Sequence, residues 1–482
     1  VVAPDMDLYW HRRDLRATDN RALSGTGRAL PVFVFDDAIL EHASPPRVAF
    51  MLDALDSLRS WYRERGGDLL VVRGDPAEEL PRVARACGAD RVVWNRDYSG
   101  LATERDAAVR DALDDADLDH ASAHDAIFHE PGSITTNQGD PYSVYSYFWK
   151  KWRDRDKPAP YDAPEAGDVA DPRDAFDDSR EFTSSTDSGA LPSLADLGFE
   201  RPEADLPSAG RSTAVDLLEA FCADDVYRYA DDRDYPAREA TSRLSPHLKF
   251  GTVGIRRVWA ATDAAHADAS DEAERDSVVA FQRQLAWREF YAHVLDARPD
   301  VVTENYREYD HAIAWRDDEA ELQAWKDGET GYPIVDAGMR QLRAEGWVHN
   351  RVRMIVASFL TKDLLLDWRE GYDWYRRKLV DHDTANDVGG WQWAASTGTD
   401  AQPYFRIFNP ATQCERHDPD GEYVRAYVPE LRDVPTAKIH AWPTLDDAER
   451  EALAPDYPDP IVDHAERRER ALATFEAARG DG

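Results

Sequence analysis

Met6-Asp7-Leu8-Tyr9-Trp10-His11 is a short, mostly apolar run followed by a basic pair, Arg12-Arg13. It reads as a β-strand. Ala29–Phe35, Asp68–Arg73 and Arg91–Asn95 repeat the pattern, and helical stretches such as Pro46–Arg65 and Ala77–Cys87 lie between them. Alternation of strand and helix implies a parallel sheet with covering helices, an α/β Rossmann-like domain expected over residues 1–135. Nucleotide-like ligands of such domains sit at the C-terminal ends of the strands. Gly25-Thr26-Gly27 has the start of a dinucleotide fingerprint. It lacks a third glycine and precedes a strand instead of following one, so it reads as a loop.

Beyond this domain the pattern changes. Residues 136–214 are expected to link two domains, because Tyr161–Ala214 is rich in Asp, Ser, Pro and Gly and has little periodicity. From Val215 onward helical signals dominate: Val215–Cys222, Ile255–Ala261, Glu274–Leu295, Ile334–Ala344, Asn350–Leu366, Trp374–Leu379 and a charged last helix near Asp463–Arg479. An all-α second domain is expected over 215–482.

The formal net charge is −36, with 8 lysines against 50 arginines, and acidic pairs such as Asp36-Asp37 and Asp231-Asp232 are spread along the chain. Disordered acidic chains are poor in aromatics. This one has 15 Trp, 20 Tyr and 16 Phe, so it reads as a folded protein with an acidic surface. In molar salt the Debye length falls to roughly 3 Å and such self-repulsion becomes tolerable. The expectation is a salt-rich cytoplasm. Cys87, Cys222 and Cys414 form no metal or disulfide spacing, no run of eighteen apolar residues suggests a membrane span, and Val1–Met6 does not resemble a signal peptide. Met339–Pro410 departs from the acidic background: ten Lys/Arg stand against nine Asp/Glu. Arginines spared in this way suit phosphate.

Three segments are odd for a plain core. Thr241-Ser242-Arg243-Leu244-Ser245-Pro246-His247-Leu248-Lys249-Phe250-Gly251 places hydroxyls ahead of a helix, where they either cap it or present it to an anion. Trp347-Val348-His349-Asn350-Arg351-Val352-Arg353-Met354 puts Asn350 and Met354 on one helix face and its two arginines on different ones. One arginine can pair with a buried acid while the other meets DNA, or both can serve structural ion pairs. Asp381-His382-Asp383-Thr384-Ala385-Asn386-Asp387-Val388-Gly389-Gly390-Trp391-Gln392-Trp393 crowds acids beside two glycines and two tryptophans. The glycines allow close approach to a flat ligand. Asp381, His382 and Asp383 are too close in sequence to converge on one ion, so no metal site is expected.

With Trp10–Arg16, Gln284-Leu285-Ala286-Trp287-Arg288-Glu289-Phe290-Tyr291, Gly331–Arg340, Thr397–Asp400 and Pro403–Pro410, these segments resemble the photolyase/cryptochrome family, in particular class I cyclobutane-dimer photolyases, over about residues 5–465. The resemblance implies a helical domain that holds FAD. Tyr229, Thr241, Ser242, Leu244, Ser245, Gln284, Arg288, Trp347, Asn350, Arg353, Asp381, Asp383 and Asp387 would line it, with Arg353 and Asp381 as a buried pair. It also implies light-driven electron transfer to a flipped-out pyrimidine dimer. Trp287 and Trp393 would wall the dimer and Met354 would face it. Gln284, Asn350 and Asp387 would complete the reacting site. Arg351 and Arg406 would hold the DNA backbone, and Trp391, Trp368 and Trp315 would carry electrons from the surface. Asp37, Asp97 and Lys249 would meet an antenna pigment, 8-hydroxy-5-deazaflavin in preference to 5,10-methenyltetrahydrofolate. The implied partner is ultraviolet-damaged DNA with little sequence preference, met by a monomer.

Members acting on (6-4) lesions carry histidines at the Asn350 and Met354 positions, DASH cryptochromes a tyrosine at the Trp393 position, and plant cryptochromes lose the Trp287 position. A cryptochrome-like blue-light receptor is the alternative. Two departures stand out. Gln284 occupies a position where many relatives have glutamate, and Asp387 one where class I photolyases have asparagine. A protonated Asp387 would imitate that asparagine.

Overall fold

The computed structural model describes residues 6–176 and 190–480. Its first unit is a five-stranded parallel sheet, β1 (Met6–His11), β2 (Arg28–Phe35), β3 (Leu70–Arg73), β4 (Arg91–Asn95) and β5 (Asp119–Ala123), in the order β3-β2-β1-β4-β5. The helices α1 (Pro45–Arg63), α2 (Pro76–Cys87) and α3 (Gly100–Asp115) connect them. Both faces are covered, so β1 is buried along its whole length. Tyr9, Phe33, Val71 and Val93 belong to one core, Leu8, Trp10, Val32, Val72 and Trp94 to the other. This is why its central strands read as near-continuous apolar runs.

The strand order reverses between β1 and β4, which makes their carboxyl ends the topological switch point, where open α/β sheets bind ligands. The residues just beyond those ends are Arg12-Arg13 and Arg96-Asp97. Strand β5, Asp-His-Ala-Ser-Ala, was not expected; it is a polar edge strand of low β-propensity. Gly25, Thr26 and Gly27 lie in a turn before β2.

Part of the expected linker is ordered. It holds α4 (Tyr145–Arg153), and Val169 and Ala170 are buried beside the start of β2, where Ala170 N–H bonds to Ala29 O at 2.8 Å. Residues 177–189 of that linker fall outside the described residues, as do Val1–Asp5 of the N-terminal reading.

The second unit is helical: it includes α5 (Arg211–Ala223), α6 (Ser245–Phe250), α7 (Ile255–Asp268), α8 (Glu272–Ala297), α9 (Pro333–Glu345), α10 (Asn350–Ser358), α11 (Trp368–Lys378), α12 (Thr384–Ala395) and α13 (His464–Ala478), with further helices of four to nine residues, such as Glu319–Asp327 and Pro410–His417, between them. The helix expected over Asn350–Leu366 stops at Ser358 and widens into a π-turn, Phe359–Asp363. There Thr361 Oγ1 bonds back to Ala357 O at 2.8 Å, and Leu365 turns left-handed at φ 53°. Buried ions join the two units. Arg256 of α7 pairs with Asp19 (2.5 Å) and Asp125, and Arg16 also pairs with Asp125, all four side chains at most 3% exposed. No helix among the described residues is long and apolar enough to cross a membrane.

Candidate active site

Helical periodicity builds the site. Gln284, Trp287 and Arg288 lie at i, i+3 and i+4 on α8; Asn350, Arg353, Met354 and Ala357 share one face of α10; Asn386, Asp387, Gly390 and Trp391 share one face of α12. The three faces, with Tyr229, Thr241, Trp393 and the exposed side of Arg351, enclose an open cavity of about 450 Å³. Of the expected cofactor residues, Tyr229, Thr241, Gln284, Arg288, Asn350, Arg353 and Asp387 line it. Sequence reasoning gave no site role to Arg233, Asp234, Tyr291, His349, Tyr375 or Asn386, which line it too, as does Gly390, one of the two glycines read as allowing close approach to a flat ligand.

The walls are backed by packing. Trp287 stacks face to face on Tyr145 of α4, with centroids 3.7 Å apart and planes 9° from parallel, and lies 5.5 Å from Tyr291. Gly389 serves this packing and not a ligand, since a Cβ there would stand 2.2 Å from the Tyr291 ring. Gly390 has open space beside it and lines the cavity. Gly371 makes room for Trp391 in the same way, its Cβ position being 2.0 Å from the indole.

Arg353 Nη2 holds Asp381 at 2.7 and 3.0 Å, and Arg353 Nη1 lies 3.8 Å from Asp387. Asp381 is 2% exposed, so this pair is costly to break. Asp387 also faces His382 Nδ1 at 2.6 Å, off the line of a regular hydrogen bond, and accepts the Asp383 N–H at 3.2 Å. Arg351, the arginine on the other face, is paired as well, with half-exposed Asp234 at 2.7 Å. An exposed pair contributes at most about 1 kcal/mol, so a phosphate can replace that partner.

His349 caps α10, its Nδ1 accepting the Arg351 N–H at 3.1 Å. Burial holds this imidazole neutral, down to about 4, and a neutral ring accepting at Nδ1 carries its proton on Nε2. That Nε2, Tyr375 Oη and Trp391 Nε1 are buried, border the cavity and have no protein partner among the described residues. Gln284 Nε2 bonds back to Ala280 O at 3.2 Å, which leaves its Oε1 without a donor. Unpaired donors around an aromatic, cation-lined space suit a flat ligand rich in acceptors, and the isoalloxazine and adenine rings of FAD are such groups.

Other expected residues stand behind the lining. Thr241 and Ser242 do not cap α6, which begins at Ser245 with Leu244 as N-cap. The left-handed backbone at Arg243 (φ 51°) turns its guanidinium onto the Trp347 ring, 3.9 Å away. Trp347 Nε1 donates to Ser245 Oγ at 3.1 Å, and Leu244 is buried in the core. Trp391 and Trp368 are buried and Trp315 half-buried; the ring neighbours of Trp391 are Tyr375 (5.0 Å) and Trp325 (6.0 Å). Arg406 is exposed beside Phe405.

At the switch point Arg13 bridges two carboxylates, Asp97 (2.9 Å) and Asp383 (2.7 Å), the second being the N-cap of α12. Burial would raise Asp383, but Arg13, Lys249 and Arg288 outweigh it and hold the group well below the usual carboxylate range. Burial, reinforced by Arg13, pushes Lys249 down to about 8. Lys249, Asp97 and Asp383 line a junction cavity of about 70 Å³. Asp37 is elsewhere, in a surface cavity of about 410 Å³ with Asp36, Leu101, Glu104 and Arg105. The Arg105 and Arg12 guanidinium groups both lie near the Trp10 ring, at 5.2 and 4.8 Å, and their buried Nε atoms have no partner among the described residues.

Comparison with known proteins bears on both units. Residues 7–165 match the family model described as DNA photolyase, and 281–477 match that of the FAD binding domain of DNA photolyase. The chain is 62% identical over 490 residues to the deoxyribodipyrimidine photo-lyase of Halobacterium salinarum, covering 99% of this chain and all of that one. A crystal structure of a class III photolyase from Agrobacterium tumefaciens superposes with a TM-score of 0.88 at 38% identity, covering 100% and 99% of the two chains. An archaeal photolyase from Sulfolobus tokodaii, solved with two FAD molecules, gives 0.82 at 31%, covering 98% and 100%.

Proposed function

The chain belongs to the DNA photolyase family, and from that premise we propose that it repairs cyclobutane pyrimidine dimers in DNA under light, with FAD as its cofactor. The observation that carries the reading is the open cavity of about 450 Å³ lined by Trp287, Trp393, Asn350 and Met354 and bordered by unpaired donors. Bound against Tyr229, Arg288, Arg353 and Asp387, reduced FAD would supply the light-driven electron-transfer chemistry for opening the dimer.

The protein's own part is positional. Two indoles replace the stacking that the lesion loses when it leaves the duplex, about 1–3 kcal/mol per base. Tyr145 fixes the plane of Trp287 from behind. Asn350 Nδ2 points toward Met354 Sδ at 3.9 Å, which keeps the two side chains together on the cavity lining. Gln284 Oε1 is free to accept from a pyrimidine N–H. Arg351 and Arg406 hold the flanking backbone. Arg353 and Asp381 fix the inner wall, where Arg288, Asp387 and Tyr229 complete the cofactor's surroundings; Ser242, Leu244, Ser245, Trp347 and Asp383 support them from behind. Trp391, Trp368 and Trp315 are the proposed route by which electrons enter from the surface.

The same reading extends to an antenna pigment. The surface cavity beside Asp37 has room for a tricyclic pigment, and the junction cavity at Asp97 and Lys249 has not. Among the described residues Arg105, whose Nε is unpaired, is the cation lining that cavity beside Asp36, Asp37, Asp75 and Glu104, and the pigment proposed for it is 8-hydroxy-5-deazaflavin in preference to 5,10-methenyltetrahydrofolate. The protein would act as a monomer in a salt-rich cytoplasm.

The test is repair of a thymine dimer in an oligonucleotide by salt-equilibrated holoprotein. Blue light should restore the absorbance of the separated thymines, and darkness should not. Lesion binding without light-dependent turnover would overturn the reading.

A further inference from the structure

Three of the chain's eight lysines, Lys150, Lys151 and Lys157, fall within eight residues. Val144–Lys157 carries five Lys/Arg against two Asp in a chain of net charge −36. Within it, α4 buries Tyr145, Phe148, Trp149 and Trp152 and exposes Tyr147, Lys150, Lys151 and Arg153. At 100° per residue the exposed residues form one continuous face, and the helix has no acidic residue. Among the described residues no carboxylate lies within ion-pair distance of Lys150 or Lys151, and the Lys150 ammonium rests 5.6 Å from the Tyr147 ring.

This face is joined to the repair cavity. Tyr145, the first residue of α4, is the ring stacked on Trp287. Asp400 accepts the Tyr145 N–H at 3.3 Å and donates its own N–H to Ser143 O at 3.0 Å, tying α4 to the loop that carries Phe405 and Arg406. Arg283, next to the cavity residue Gln284, lies 5.7 Å over Trp149. Only Leu101, Tyr147 and Phe405 are large exposed hydrophobics among the described residues, so two of the three are on elements tied to the cavity. Cations in the last turn also suit the helix dipole. The dipole accounts neither for a Tyr147 that is 57% exposed nor for the complete absence of acid.

We propose that Tyr147, Lys150, Lys151 and Arg153, with Arg283, form a docking surface for the phosphate backbone of duplex DNA flanking the lesion, on the Trp287 side of the cavity. The proposal rests on the repair reading for its partner. A nine-residue helix is about 13 Å long, roughly four base-pair rises, and so reaches beyond the flipped bases. Contacts of this kind hold DNA in place without reading its sequence.

The experiment measures binding of an undamaged and a dimer-containing 20-base-pair duplex across KCl concentrations at which circular dichroism shows the protein folded. The double variant Lys150→Gln/Lys151→Gln should bind both duplexes at least about fivefold more weakly. Its slope of log K against log salt should be smaller by about 2, at about 0.9 per phosphate lost. Lys326→Gln/Lys378→Gln, which removes the same charge beside Trp374, should leave the slope unchanged. A wild-type slope in the α4 variant would overturn the proposal, as would a loss of thermal stability with binding intact, the signature of a dipole role alone. Repair of a dimer in a pentanucleotide, too short to reach α4, tests the repair reading separately. Its failure would sink that reading while the duplex slopes still decide whether α4 docks nucleic acid.

Discussion

Around the cavity lined by Trp287 and Trp393, His349 Nε2, Tyr375 Oη and Trp391 Nε1 have no partner among the described residues beside about 450 Å³ of space. At the domain junction the space is about 70 Å³, and Arg13 already joins Asp97 to Asp383; among the described residues Tyr98 Oη is the one fully buried polar side-chain atom of that lining without a partner. One region leaves buried donors open beside the space, the other meets its two carboxylates within the protein. The difference separates a place built for a ligand from a clamp that holds two units in register. It predicts that substitutions at the junction show in stability and substitutions at the cavity show in binding.

The largest expected effect is at the clamp. Arg13→Met strands Asp97 and Asp383 and should cost about 3 kcal/mol of unfolding free energy, read by denaturant titration in concentrated KCl. A loss under 1 kcal/mol would remove the distinction between the two regions. Trp287→Ala should do the reverse: lesion affinity falls by about 2 kcal/mol, roughly thirtyfold. Its intact stacking partner Tyr145 should limit the stability change, and an equal loss in both measurements would blur the comparison.

Lys249 sharpens it through pH. Its folded value, about 8, lies below the ordinary 10.5, so between these values the unfolded chain binds more protons and stability rises with pH. The cost is full below pH 8 and is relieved as pH climbs toward 10.5. The whole shift corresponds to about 3 kcal/mol; partial exposure reduces this to on the order of 1–2. Lys249→Met should therefore be more stable than the parent at pH 7, with the advantage fading by pH 10.5. A constant difference across that range would show that Lys249 does not titrate there. Smallest is Arg351→Gln. Its Asp234 pair must open before a phosphate is met, so DNA affinity should fall by at most about 1 kcal/mol, equally for all sequences, with the salt slope smaller by about 1.

The legible parts of the fold share a cause. Strands β1 and β4 were read to the residue because burial on both faces makes them continuously apolar, whereas polar edge strand β5 gave no signal. The faces of α8, α10 and α12 followed from i, i+3 and i+4 spacing. The contacts between those faces did not: Tyr145 behind Trp287 came from a segment read as linker, and Arg13 and Asp383 are 370 positions apart. The approach of Arg353 Nη1 to Asp387, at 3.8 Å, likewise joins two segments that were read separately.

Local periodicity and side-chain type thus determined the two kinds of layer, the acidic surface and the set of aromatic and cationic residues available for chemistry, since these depend on neighbours along the chain. Tertiary structure alone decided which charges are spent on each other and which donors are left for a ligand. Ion pairing and desolvation act over a few ångströms of space, and residues hundreds of positions apart meet at those distances only once the chain has packed.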